Sequence, residues 1–200
     1  MWRAGNVARW EPIAGDSLPM TLPAAFLALA LSAVPATAQI VLGQSASGPA
    51  SQALSEIDRK EKDLVAAWEK SPLVIRKAVF VTEKAPLYGA YSPRPSNVFK
   101  KGEPVLAYLE PVGYGWKPEG DAFILGITLD VVLKSKDGKI LGGQEKFLNS
   151  QQTSRHKLRE LMLNVTLSLG STPGDYVVEF VAKDLGGKSG SVSMPFTIAE

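Results

Sequence analysis

One histidine and no cysteine leave this chain few ways to run acid–base, nucleophilic or metal chemistry. His156 lies in Ser154-Arg155-His156-Lys157. A catalytic histidine needs a nucleophile and an orienting acid nearby, and its immediate neighbours Arg155 and Lys157 are neither. It reads as a surface-loop residue. A zinc site needs several Cys or His ligands, and none can be assembled. Calcium needs clustered oxygen ligands. Asp121, Asp130, Asp137, Asp175 and Asp184 are scattered instead, mostly in turns that favour Asp anyway. An odd separation puts Glu103 and Glu110 on opposite faces of a strand. They are poor partners for glycoside hydrolysis, which needs two carboxylates facing each other across a cleft. No GxSxG, P-loop or dinucleotide fingerprint occurs. The sequence therefore predicts no catalytic residue, no metal, no cofactor and no enzyme.

Recognition chemistry has a better candidate. Tyr88, Tyr91 and Arg94 fall in Ala85–Pro95, and Tyr114 and Trp116 in Val112–Pro118, two loop-like stretches rich in Gly and Pro. Aromatics on loops offer stacking surfaces for a sugar or peptide, and Arg94 and Lys117 would be their polar partners. The competing reading is that these rings lid one end of a core, the usual fate of aromatics.

The elements that must position these loops follow from periodicity. Residues 51–71 predict an amphipathic helix. Ser51 is its candidate N-cap and Pro72 its stop, and Leu54, Ile57, Leu64, Val65 and Trp68 share one face. Between them runs Asp58-Arg59-Lys60-Glu61-Lys62-Asp63, suited to i,i+4 pairs. The helix either caps the domain through Trp68 or pairs with another chain. Beyond residue 72 the period becomes two. Alternating runs at 73–83, 104–110, 122–134, 140–147, 159–169, 176–183 and 189–198 predict about seven strands. Between the third and fourth, Gly138 in Lys136-Asp137-Gly138-Lys139 suits a positive φ. One wet face per strand argues for antiparallel pairing. The expectation is a mainly β, antiparallel Ig-like sandwich over 72–200. Its predicted core is Phe80, Leu106, Phe123, Leu125, Leu129, Leu163, Leu167, Val178, Phe180 and Phe196.

Residues 22–34 are apolar and uncharged, and Ala36-Thr37-Ala38 follows as a small-residue cleavage signal. This predicts a signal peptide over 1–38, cut before Gln39. The run is shorter than the roughly 20 residues of a bilayer-spanning helix, so no membrane anchor is expected after cleavage. Met20 offers a second start, which would leave 1–19 outside the protein. Residues 39–50 read as a Ser/Gly/Ala-rich tether. With no cysteine, neither a lipid anchor at a lipobox nor a disulfide can form, so the fold rests on its own core. A net charge of +2 gives no footprint for nucleic acid.

Near the C-terminus, Pro173-Gly174-Asp175-Tyr176, then Ala182-Lys183-Asp184, Gly187-Lys188 and Ser193–Ile198, resemble the last hairpin of bacterial immunoglobulin-like or fibronectin-III-like domains. Phe99–Glu110 is similar to a run found in secreted bacterial proteins. The resemblance implies that Tyr176 bonds back to nearby backbone as a tyrosine corner, with Gly174 shaping the turn before it. The resulting expectation is a periplasmic or secreted, non-enzymatic binding or assembly module of the cell envelope, with an envelope protein or polysaccharide as partner. The alternatives are a carbohydrate- or peptide-binding module using the aromatic loops, and an accessory domain of an envelope enzyme system.

Overall fold

Residues 48–170 and 172–200 are described by the structure, a computed structural model. The expected signal peptide and most of the tether lie outside the described residues. A helix, α1, spans Pro49–Lys70. It begins before the predicted cap at Ser51. Gly48 is the N-cap at φ 133, Pro49 follows at the helix start, and no side chain caps the end. Proline suits a first turn because its φ is already helical and its missing N–H would have had no partner there. At the other end Ser71 is extended, the conformation that a following proline favours.

Nine strands follow among the described residues: β1 Val74–Phe80, β2 Val98–Phe99, β3 Val105–Val112, β4 Lys117–Glu119, β5 Ala122–Ser135, β6 Ile140–Ser154, β7 Leu163–Leu167, β8 Gly174–Asp184 and β9 Ser189–Ile198. The expected seven are corrected upward by the short β2 and β4. β6 also continues through 148–154, a stretch that reads as a polar connection. β1, β3 and β7 form one antiparallel sheet in the order β1-β3-β7. The other sheet runs β2-β9-β8-β5-β4, with β6 also paired to β5. Only the β2–β9 pair is parallel. The β5–β6 turn closes through Ser135 N–H to Lys139 O at 2.9 Å. Gly138 takes φ 82 there, a conformation that costs glycine nothing.

Between the sheets lie Val105, Ala107 and Leu109 of β3, Leu163, Val165 and Leu167 of β7, and alternate residues of β5, β8 and β9. Of the predicted core, Leu125, Leu129, Leu163, Leu167, Val178, Phe180 and Phe196 are buried. Three positions need correction. Leu106 faces away from this core, because β3 turns Val105, Ala107 and Leu109 inward; it is half-buried in a second cluster with Val81 and Tyr108. Phe123 is half-buried at a sheet end, with the Lys157 ammonium 5.5 Å from its ring centre. Phe80 is half-buried, edge-on to Phe99 at 5.2 Å. At the start of β8 the Tyr176 hydroxyl donates to Thr172 O at 2.8 Å, and its ring stacks on Phe196 at 5.6 Å. Gly174, at φ 153, lies beside that ring.

On the opposite face of β5, Asp130 is buried. β6 slips register here, pairing Leu148 with Leu129 but Gln144 with Val131. At the slip Lys146 adopts φ 50, uncommon for a residue with a side chain. Its N–H donates to Asp130 Oδ1 at 2.8 Å, and the Lys183 ammonium donates to Oδ2. Those bonds, Lys183 first, hold the Asp130 carboxyl below its ordinary range. A depressed pKa contributes stability that is present above the ordinary carboxylate range and lost as pH falls through the folded-state value. Asp130→Asn is therefore expected to cost about 1 kcal/mol near neutral pH, a modest figure because water screens the lysine, and to flatten the acid limb of stability. Urea midpoints against pH test this; superimposed curves would remove Asp130 from the support of the bulge.

Candidate functional site

The predicted aromatic site does not assemble as one surface. Its members belong to three separate arrangements, each defined by neighbours distant in sequence.

Tyr114 and Trp116 follow β3, and their loop is covered by the last turn of α1. The Trp68 ring stacks on Trp116 at 5.7 Å and meets Tyr114 edge-on at 5.1 Å. Trp68 Nε1 donates to Tyr114 O at 2.8 Å. The Trp116 indole and the Tyr114 hydroxyl both donate to Leu158 O, at 2.8 and 3.2 Å. Tyr114 is 0% exposed, and burial pushes its phenol up. It has no free face for a sugar, which corrects its assignment as a ligand residue. The same packing uses Trp116, leaving it half-buried.

The β8–β9 turn completes this junction. Asp184 accepts the Gly186 and Lys188 N–H groups on Oδ1, and Gly115 N–H on Oδ2 at 2.8 Å. Lys188 Nζ donates to Glu69 O, Ser71 O and Gly113 O at 3.0, 2.8 and 2.8 Å. An ammonium at a helix C-terminus satisfies orphan carbonyls and opposes the negative end of the helix dipole. Asp184, Gly187 and Lys188 belong to the hairpin that the resemblance implies, but nothing local marks Lys188 as the cap of a helix more than a hundred residues away.

Tyr88 and Tyr91 sit in the 82–97 connection, which covers the outer face of β3. Tyr91 stacks on Tyr108 at 4.4 Å. The Tyr108 hydroxyl donates to Glu110 at 2.8 Å and accepts the Gly89 N–H at 2.7 Å. Arg76 donates to Glu110 at 3.3 Å and also to the Tyr88 hydroxyl. Burial pushes the Tyr108 phenol up to about 12, with the neighbouring Glu110 adding to the shift. Tyr88 is raised for the same two reasons. Glu110, only 7% exposed, therefore has a cation and a phenol as partners, the usual condition for burying a carboxylate. Tyr108 and Glu110 stand two apart on one strand face, a spacing that marks them as a possible pair. Arg94 belongs to the third arrangement. It binds both Glu103 oxygens, at 2.6 and 3.1 Å, donates to Val98 O at 2.9 Å and lies 4.3 Å over the Phe99 ring. It ties a loop rather than facing a ligand.

His156 lies on an open cleft of about 920 Å³ between α1 and residues 155–160. Ion pairs Lys157–Glu69 at 2.6 Å and Arg159–Glu61 at 3.6 Å span that cleft. The imidazole makes no hydrogen bond among the described residues; only its backbone N–H does, to Ser154 Oγ. Among the described residues no group of three or more His, Cys, Asp or Glu is placed to hold a metal ion, and no helix is long and apolar enough to cross a membrane.

Among the described residues, α1 keeps apolar side chains exposed although Glu61 and Glu69 are paired across the cleft. Val65 and Trp68 are half-buried, but Leu54, Ile57 and Leu64 are 57%, 55% and 48% exposed. Arg59 pairs with Glu56 and Asp63 along the helix, each at 3.6 Å.

No family model matches the chain, and no curated protein matches it. Among solved structures it is similar to Spo0M, a sporulation control protein from Bacillus subtilis, at 12% identity over 65% of this chain and 50% of that one, with a TM-score of 0.35. It is also similar to a superoxide reductase (neelaredoxin) from Ignicoccus hospitalis, at 15% identity over 70% of this chain and 90% of that one, with a TM-score of 0.32. A conjugate transposon protein from Bacteroides vulgatus matches at 17% identity over 60% of this chain and 86% of that one, with a TM-score of 0.27. The chain thus spans half the length of the Spo0M chain. Likenesses at this level leave the mainly β architecture resting on the strands themselves.

Proposed function

We propose that this is a non-enzymatic, immunoglobulin-like binding or assembly module of the cell envelope that docks a protein partner through α1. Strand order supports the immunoglobulin-like reading. β1-β3-β7 corresponds to the A-B-E arrangement, and β9-β8-β5-β6 to G-F-C-C′. The Tyr176–Thr172 bond fits a tyrosine corner. The apolar run at 22–34 and its cleavage signal support a periplasmic or secreted address.

The observation that carries the docking reading is the exposed stripe Leu54, Ile57 and Leu64 on a helix held by its opposite end. Ridges at i, i+3 and i+10 share one helix face and are the anchors a grooved partner reads. The aromatic loops are weaker candidates, since their rings are occupied by Trp68 and Tyr108. A photo-crosslinker at Ile57 in intact cells is expected to capture one predominant protein, and one at Gly89 is expected not to. The paired change Leu54→Asp with Leu64→Asp should abolish that capture while the denaturant midpoint stays within about 0.5 kcal/mol of wild type, as for surface substitutions. Capture unaffected by these changes would remove α1 as the docking element.

A further inference from the structure

We infer that α1 is a latched arm: it pivots on its last turn, and the Glu61–Arg159 ion pair limits its swing against residues 155–160. The pivot is the fastened end. Glu69 lies beside Trp68, and its pair with Lys157 at 2.6 Å belongs to that end. The Lys157 ammonium is itself seated 5.5 Å from both the Trp116 and the Phe123 ring centres. Glu61 stands about two turns further along the helix, roughly 12 Å from Glu69 at the α-helical rise. Arg159 reaches it there at 3.6 Å. Nearer Pro49 the ion pairs of α1, Arg59 with Glu56 and with Asp63, stay within the helix, and none of the helix residues is buried. Among the described residues, Arg159–Glu61 is thus the last ion pair between α1 and the sandwich before the free end.

The charges of the cleft complement one another. Its α1 wall carries Asp58, Glu61 and Glu69 with one base, Lys62; the opposite wall carries Arg155, Lys157 and Arg159 with one acid, Glu160. Arg155 is also paired with Asp121 at 3.1 Å, so Lys157 and Arg159 are the cations that reach the helix. A small ion entering the gap meets one attractive and one repulsive wall, whereas each wall attracts the other. Both side chains of the Glu61–Arg159 pair are partly exposed, so the pair is worth little and salt screens it. That weakness suits a latch, since the arm can be held or released by a small change in charge. Trp68 and Lys188 set the direction in which the arm leaves the sandwich, and the latch narrows its swing about that direction. Leu54, Ile57 and Leu64 do not line the cleft, so the latched arm keeps its stripe open. Here the inference rests on the reading of α1 as a docking element: a restrained arm has less orientational freedom to lose when a partner binds.

The chain has no native cysteine. Spin labels at Ser55→Cys and Gln152→Cys, both exposed positions, therefore report the distance between arm and sandwich in the purified full chain. Wild type at low salt is expected to give one narrow distance distribution. Glu61→Arg should lower the ratio of latched to swung-out arms about two- to fivefold, the worth of an exposed pair, with the dichroism spectrum unchanged. Arg159→Gln, which leaves α1 untouched, should act alike. Raising NaCl from about 0.1 M to about 1 M shortens the Debye length from about 10 Å to about 3 Å and should broaden the wild-type distribution in the same way. Adding Arg159→Glu to Glu61→Arg should bring the narrow peak back. A wild-type distribution already broad at low salt, or one that Glu61→Arg and Arg159→Gln leave unchanged, overturns the latch. So does a charge-swapped protein as broad as Glu61→Arg alone. Crosslinking at Ile57 separates the latch from the docking reading: distances that respond as expected in a protein that captures nothing uphold the latch and remove docking by α1.

Discussion

Gly113→Ala is expected to cost about 2–5 kcal/mol and to loosen the end of α1 from the sandwich, the sum of a left-handed backbone penalty and an overpacking penalty. Gly113 sits just past β3 at φ +79. A Cβ there would lie 2.1 Å from Pro72 O and 2.9 Å from Pro72 C. Both obstacles are backbone, so no side chain can swing away. The 71–73 segment has little room to yield. The next carbonyl along it, Leu73 O, lies as close to the position of a Gly190 Cβ in β9, at 2.1 Å. Leu73 itself is buried, and Lys188 holds Ser71 O and Gly113 O together. Relief must therefore pull the chain off the core or break the lysine's bonds. Urea denaturation followed at 222 nm tests the prediction, with Gly142→Ala as control, since a Cβ at Gly142 meets nothing within 4 Å. Equal midpoints for Gly113→Ala and wild type would mean that the helix exit does not pack against β3.

Much of this architecture is legible because burial on one face leaves a period-two record. β5, β8 and β9 each bury alternate residues between the sheets, and each shows that alternation in sequence. β2 and β4 are two and three residues long, too short for any period. β2 exists because Thr197 N–H reaches Asn97 O and Ala199 N–H reaches Phe99 O, bonds made across the chain. The second half of β6 escapes detection for a different reason: after Phe147 and Leu148, which pack against the core, Gln151, Gln152 and Thr153 are exposed in succession, so no alternation marks it. The aromatic loops mislead because Gly and Pro mark a loop without saying what lies over it. Tyr114 is covered by a helix 46 residues away in sequence, a distance over which local pattern is silent. The stripe of α1 was plain from its spacing, yet spacing could not say that Trp68 would be covered while Leu54 and Ile57 stayed bare.

That division within one helix makes Trp68→Ala the second large expected effect. The substitution removes the stack on Trp116, the edge contact with Tyr114 and the bond to Tyr114 O. Trp→Ala changes in cores cost about 3–5 kcal/mol; Trp68 is half-buried, which brings the expectation down to about 2–4 kcal/mol. The loss should fall unevenly. A 22-residue helix with no buried residue of its own is marginal once it leaves its platform. Amide protection over 49–70 should therefore drop far more than protection over β5 and β8, which close the core without α1. Trp68→Phe separates the contributions: it keeps the ring stack, loses the indole donor, and should recover all but about 1 kcal/mol. If Trp68→Ala lowers protection equally in α1 and β5, the helix is part of the cooperative core rather than an arm fastened at its last turn. An arm so fastened can present Leu54, Ile57 and Leu64 to a partner without disturbing the sheets. Its direction is then set by Trp68 and Lys188, so a change at either anchor should weaken capture at Ile57 even though neither residue belongs to the exposed stripe.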